Sequence, residues 1–328
     1  MRAFDFNGLA YGIGQPLATA LFKQQPEDFV VTEQLQPTAT EQGEHLWAEV
    51  RKRGQNTHWV AAQLAQQADV DPSQVGYAGL KDRHAVTTQW FSLTLPRGDV
   101  ALADGEGFSV LRQIRQPRKL RRGDHTGNHF TLRLREFDGD RAATQQRLAE
   151  IAEHGVPNYF GEQRFGFEMG NLREVERRVA DGELRGDRRQ RGRNRNRKSD
   201  PKAGLYLSAA RSWLFNWVLS ARVDDGTWTQ ALGEGDDLTG PLWGRGRSAA
   251  VAEARAYEAE LLAPFADWCD ALEHAGLQQE RRPLRLLPID LSSRWLGDDL
   301  ILDFALATGQ FATVLLRELV QLKSSPVL

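Results

Sequence analysis

The order of two periodicities constrains the fold of this chain more than any other feature. Strand patterns stand at both ends and mostly helical patterns fill the middle. The cleanest strand signal is strict alternation, with Phe130, Leu132 and Leu134 on one face and Thr131, Arg133 and Arg135 on the other, as in a half-buried antiparallel strand. Further strands are predicted over Phe29 to Glu33, His45 to Arg53 (Leu46, Ala48 and Val50 against His45, Trp47 and Glu49), Val86 to Leu95, Leu284 to Ile289 and Leu300 to Phe304. Thr57 can cap a helix running to about Ala68, and Leu148, Ile151 and Ala152 set a helix over 141–153 that Gly155 ends. The middle predicts helices at 171–181, Ser208 through Arg222, 249–262 and 265–275, and the chain closes on a helix from Phe311 to Leu322. Strands, helices, then strands again, without an internal repeat, suggest an α+β domain that carries an insertion.

The single cysteine, Cys269, excludes an intrachain disulfide and leaves too little thiol for a cysteine-based metal site. No clear His, Asp and Glu ligand cluster stands out, which argues against a metal-dependent nuclease. No stretch has the apolar length of a membrane span, and Met1 to Asp5 lacks a hydrophobic signal region, so cytoplasm is the expected compartment. The net charge of −2 speaks against a nucleic-acid partner until its distribution is considered. Residues 112–122 and 185–198 hold fourteen Lys and Arg against one acid, Asp187, a net +13, which leaves −15 on the other 303 residues. An acidic body with two concentrated basic segments suits a localised phosphate-binding surface or a pair of solvated charge runs; 185–198 fits either, and 112–122, between apparent strands, favours the surface. Asn158 to Gly166 is dense in aromatics, Gly and Arg, the composition of a loop that can stack on bases.

Gly76 to Ser92 contains the candidate reactive group. Asp82 sits between Lys81 and Arg83, with His84 beyond, and three such neighbours would hold the carboxylate ionised. Gly76 and Gly79 suit a tight turn before it. An ionised carboxylate on a loop anchored by a strand is a plausible nucleophile or general base, and it is also what a plain surface loop looks like.

Seven blocks together resemble the TruD family of tRNA pseudouridine synthases, over nearly the whole chain and in family order. They are Pro26-Glu27-Asp28-Phe29-Val30-Val31, Gly43-Glu44-His45, Gly79-Leu80-Lys81-Asp82-Arg83-His84-Ala85-Val86-Thr87, Gly127-Asn128-His129-Phe130, the stretch from Gly155 through Asn158-Tyr159-Phe160-Gly161-Glu162-Gln163-Arg164-Phe165-Gly166, Leu207-Ser208-Ala209-Ala210-Arg211-Ser212, and Gln310-Phe311-Ala312-Thr313 leading into Arg317-Glu318. The resemblance implies an α+β fold: a pseudouridine-synthase-like catalytic domain with a mixed, largely antiparallel sheet, over 1–153 plus 288–328, interrupted by a family-specific α/β insertion (TRUD) domain over 154–287. It implies conversion of uridine to pseudouridine in tRNA, typically at uridine 13 of the D arm, with no cofactor and no metal. Asp82 matches the family's nucleophilic aspartate and Phe130 the aromatic that packs on the flipped base, where other pseudouridine synthases generally use tyrosine. Phe29, Asn128 and Phe311 match positions lining the substrate pocket, and Lys23 matches a basic residue expected near the nucleophile. For Phe29 and Phe311, plain core packing is the alternative. The implied partner is tRNA, with no membrane, no obligate protein partner and a monomeric state. The family usually carries a shorter basic stretch than Arg185 to Lys198. A non-catalytic RNA-binding or tRNA-chaperone module using the same basic surfaces is the alternative reading.

Overall fold

In the computed structural model the described residues are all but 1, 3, 39–41, 96, 97, 99, 185–201 and 324–328, so the arginine-rich 185–198 segment lies outside them. The chain forms two units. One, the sheet unit, comprises Pro16–His154, Leu287–Ala312 and Leu319–Leu328; the other, the helical unit, comprises Met1–Gln15, Gly155–Leu286 and Thr313–Glu318.

The sheet unit begins with β1 (Thr19–Phe22), β2 (Phe29–Gln34) and β3 (His45–Arg53), then α1 (Thr57–Gln67), β4 (Val75–Tyr77), β5 (Val86–Thr94), β6 (Phe108–Gln116), β7 (Gly127–Asp138) and α2 (Arg141–His154). The helical unit follows with β8 (Val156–Pro157), α3 (Gly170–Ala180), α4 (Ala203–Asp224), β9 (Thr239–Leu242), α5 (Ala252–Leu262), α6 (Ala266–His274), β10 (Glu280–Pro283) and β11 (Arg285–Leu286). The chain then returns through β12 (Ile289–Leu296) and β13 (Asp299–Ala307) to α7 (Ala312–Leu319) and β14 (Gln321–Lys323).

Ten strands make one sheet, in the order β12-β13-β7-β2-β5-β3-β6, with β1, β14 and β4 attached off that path. Only β2–β5 and β1–β14 pair in parallel; every other described pairing in the sheet is antiparallel. The period-two pattern of Phe130, Leu132 and Leu134 does face a core, and Gly127 and Asn128 open that strand instead of forming a turn. On β3 the inward run Leu46, Ala48 and Val50 packs with Val60, Ala61, Leu64 and Ala65 of α1 and with Phe91 and Leu93 of β5. Each buried Val, Leu or Phe side chain in this cluster contributes roughly 1.5–3 kcal/mol of hydrophobic stabilisation. The opposite face of β3 is not open either, because Trp47 packs against Trp90 and Leu120.

In the helical unit, α4 carries the core through Trp213, Leu214, Phe215, Val218 and Leu219, all buried. Phe4 sets its ring 5.5 Å from both Trp213 and Trp268, which is why residues 1–15 group with this unit. Tyr159, Phe160 and Phe165 are buried as well. The aromatic run 158–166 is therefore mostly core, contrary to the base-stacking loop its composition predicts; Phe167, just beyond it, is the exposed ring. No described helix is long and apolar enough to cross a membrane.

Candidate active site

The sheet register arranges the site. Lys52 on β3 stands opposite Thr87 on β5, Thr87 opposite Val31 on β2, Val31 opposite Phe130 on β7, and Phe130 opposite Phe304 on β13. Directly opposed residues share a face, so these five form one rung on one side of the sheet. Two residues along, Glu33, Asn128 and Leu306 form a second rung. Phe29, Phe130 and Phe304 make an aromatic row, with centroids 6.1 and 5.5 Å apart and planes 20° and 24° from parallel.

Asp82 lies on the turn between β4 and β5, and that turn is held at almost every polar group. The amide of Gly123 donates to the carbonyl of Ala78 at 2.9 Å, and Nε2 of Gln89 to that of Gly79 at 3.0 Å. The amide of Lys81 donates to the Thr57 hydroxyl at 3.0 Å. Nζ of the fully buried Lys52 donates to the carbonyls of Asp82 and Gln55, both at 2.8 Å, and at 3.5 Å to that of Lys81. The amide of His84 donates to Oδ1 of Asp82 at 2.9 Å, and Nζ of Lys23 donates to Oδ2. With so many anchors the carboxylate is preorganised, as a nucleophile must be.

Local charge follows this geometry and not the order of residues along the chain. The Lys81 ammonium turns away from Asp82 to a buried ion pair with Glu33, 2.7 Å long, whose other oxygen accepts from the Trp90 amide at 3.2 Å. Arg83 reaches the Gly54 carbonyl at 3.4 Å. The cation that does hold Asp82 is Lys23, 59 residues earlier. Burial would raise the Asp82 carboxyl, but the Lys23 bond and charge, with the His84 amide and charge, keep it below the usual carboxylate range. Burial lowers the Lys52 ammonium to about 8, against the pull of Asp82 and helped by the nearby charge of Lys81. His125 is lowered too, first by burial and then by Lys81.

Of the expected site residues, the structure brings four together. Lys23 bonds Asp82, and its Nζ is 4.1 Å from the Phe29 ring centroid, which stacks with Phe130. Phe29 and Phe130 are 7% and 6% exposed, so both are mainly core. Asn128 lies on the same face, two residues from Phe130, and its side-chain oxygen is enclosed without a hydrogen-bond partner among the described residues. A buried acceptor left open suits a ligand that donates to it. Phe311, 36% exposed, follows the turn after β13, which is tied to β7 by the Thr308 amide on the Thr126 carbonyl at 3.2 Å. Lys52 and Glu33 were missed by the sequence reading, although both sit at inward positions of alternating strands, after Leu46, Ala48 and Val50 in one case and after Phe29 and Val31 in the other.

Several expectations are corrected. Thr57 is the first helical residue, Asn56 holds the cap position, and the Thr57 hydroxyl accepts from the Lys81 amide in the turn that carries Asp82. Gly76 does not make a turn: it pairs with Ser92 inside the sheet, and a Cβ there would lie 2.4 Å from the Leu120 carbonyl oxygen. The 112–122 run is largely spent on the protein, with Arg112 on Glu49, Arg118 on Asp124, Arg115 on the Leu95 carbonyl and Lys119 on the Ser73 carbonyl, leaving Arg121 and Arg122 exposed without an ion pair to a described residue. Among the described residues no group of three or more His, Cys, Asp or Glu is placed to hold a metal ion.

Comparison with known proteins places these features. A crystal structure from Methanosarcina mazei, described under the name tRNA pseudouridine synthase D (TruD), matches with a TM-score of 0.67 over 96% of each chain at 20% identity. The class is thus an α+β protein of the pseudouridine-synthase fold. The family model for tRNA pseudouridine synthase D (TruD) matches residues 6–188. Relatives named tRNA pseudouridine synthase D include one from Cellvibrio japonicus, 48% identical over 96% of this chain and 93% of its own, and one from Aeromonas hydrophila, 43% identical over 95% and 94%. The chain belongs to the TruD family of tRNA pseudouridine synthases.

Proposed function

We propose that the protein isomerises uridine to pseudouridine in tRNA, at position 13 of the D arm, with Asp82 as nucleophile on a flipped-out base. Family membership supports the reaction and the tRNA substrate. The observation that carries the residue assignment is the Asp82 carboxylate held ionised by Lys23 beside the Phe29–Phe130 pair. In this scheme Asp82 makes a covalent adduct with the nucleotide, the N1–C1′ bond breaks, the uracil turns, and C5 bonds to C1′. The C5 proton is lost and N1 is protonated. The formula is unchanged, so the chemistry requires neither net oxidant nor net water, and a carboxylate suffices to carry the intermediate. The base must leave its stack to reach Asp82. Phe130 and Phe29 offer it apolar contact, Asn128 reads a uracil edge through its amide, and Phe311, after the turn that follows β13, lines the pocket.

The sheet unit is the catalytic part and the residues near 154–287 the family's insertion. We further expect a cytoplasmic monomer, which sedimentation of the purified protein checks. Mapping pseudouridine in total RNA from cells with and without the protein tests the function. Disappearance of the modification from position 13 of specific tRNAs is expected. An unchanged map would remove the assignment.

A further inference from the structure

In the helical unit, six arginines that are partly or fully buried are matched to carboxylates. Arg2 pairs with Glu176, Arg178 with Glu174, Arg211 with Glu280, Arg222 with Asp236, Arg281 with Glu258 and Arg317 with Glu318. Arg164 is different. It has no carboxylate partner among the described residues, and its side chain makes a single hydrogen bond to them, from Nε to the Ser212 hydroxyl at 3.3 Å. A guanidinium has five N–H donors, so the four on the two Nη nitrogens are unspent. Burial lowers the pKa of this arginine, as expected for a charge held partly out of water without a counter-ion.

A second positive charge stands near it. The Arg282 guanidinium carbon is 4.2 Å from the Phe160 ring centroid, and that of Arg164 is 5.4 Å from the same centroid. Burial lowers Arg282 to about 10, and the charge of Arg164 adds to the effect. The platform beneath them is fixed. Asn216 bonds both main-chain groups of Phe160, at 2.8 and 2.9 Å, and Arg282 donates to Asn158 Oδ1 at 2.7 Å. The Arg164 backbone is held at its amide by the Gly161 carbonyl and at its carbonyl by Asn171. A fork of open donors next to a like charge costs free energy when empty, and an anion seated on Arg164 offsets that repulsion.

We propose that Arg164, supported by Arg282 at the same aromatic ring, receives a phosphodiester group of the RNA substrate. The planar fork matches the two non-bridging oxygens of such a group, which RNA presents at every residue. The assignment rests on the tRNA-acting function proposed above, and binding measurements separate the two.

The experiment compares tRNA binding by full-length wild type, Arg164→Gln and Arg164→Lys across a salt series, with melting curves to verify folding. Arg164→Gln is expected to bind roughly tenfold more weakly, since losing one charge-assisted contact is worth about a decade. The slope of log affinity against log salt should shrink by about 0.7–0.9, one phosphate contact. KM should rise while kcat stays. Arg164→Lys, which keeps the charge without the fork, should fall between, and it carries the comparison if the glutamine variant melts early. Wild-type affinity and slope in both variants overturn the proposal. So does an outcome in which inorganic phosphate raises the melting temperature of wild type, but not of Arg164→Gln, while tRNA affinity is equal, because the fork then takes a free ion. A wild-type protein that binds no tRNA would strike the functional reading itself and take this site with it.

Discussion

The surroundings of Asp82 and of Arg164 use positive charge in opposite ways. Around Asp82, Lys23 and Lys81 are matched to carboxylates and Lys52 to main-chain carbonyls. Around Arg164, most donors are open. Charge spent on the protein fixes the Asp82 carboxylate in place, whereas the unspent charge of Arg164 is what the proposed phosphate contact uses. The number of basic residues in a segment distinguishes neither case. The 112–122 run has six, yet four of them bond to the protein itself.

Substitutions in the Asp82 network sharpen that contrast, because each should affect turnover or stability and not tRNA affinity. Asp82→Asn keeps the shape and loses the proposed nucleophile, so single-turnover rates should drop at least ~10³-fold while tRNA binding holds. Lys81→Met strands a buried Glu33 carboxylate and should cost about 3–5 kcal/mol in urea unfolding, much of it regained when Glu33→Gln is added. A single variant as stable as wild type would show that the pair is not structurally required.

Lys52→Met loosens the turn under Asp82 and should lower kcat about 10²-fold, the scale of a small misplacement at a reacting centre. Lys52 also predicts two opposite pH trends. Its folded pKa, about 8, lies below its unfolded value of 10.5, so the unfolded chain binds more protons between them and stability rises with pH across that window, by at most ~3 kcal/mol. Activity should fall over the same window as Lys52 loses its proton, and the methionine variant should lack that alkaline limb. Lys23→Met has the mildest expected effect. Without Lys23 the largest opposition to burial is gone, the Asp82 pKa rises, and the acid limb of kcat/KM, read from a pH-rate profile, moves to higher pH, with losses on the acid side and little change on the alkaline side.

The candidate nucleophile and the aromatic pair were legible in the sequence because each lies in a block that carries the family resemblance; charge spacing alone left Asp82 on a plain surface loop. What was not legible was pairing across distance. Lys81 and Arg83 look like the partners of Asp82, yet a turn points adjacent side chains in different directions, and the bonding lysine comes from the end of β1. Lys52 and Glu33 occupy inward positions that alternation marks, but a charge there reads as the end of a strand until its buried partners are known. The β12 strand escaped for the opposite reason. It is an edge strand with no buried residue, so it needs no hydrophobic alternation. The last helix stops at Leu319, short of Leu322, because Gln321 and Leu322 join β14 and pair in parallel with Thr19 and Ala20.

We propose that Asp82 isomerises one uridine of a tRNA. Purified protein incubated with a single tRNA, carrying uridine or cytidine at position 13, tests it when pseudouridine is then counted at every position. Wild type should produce pseudouridine at position 13 of the uridine tRNA alone, and Asp82→Asn should produce none in the same time. Pseudouridine formed at the wild-type rate by Asp82→Asn, or none formed by wild type, would contradict it.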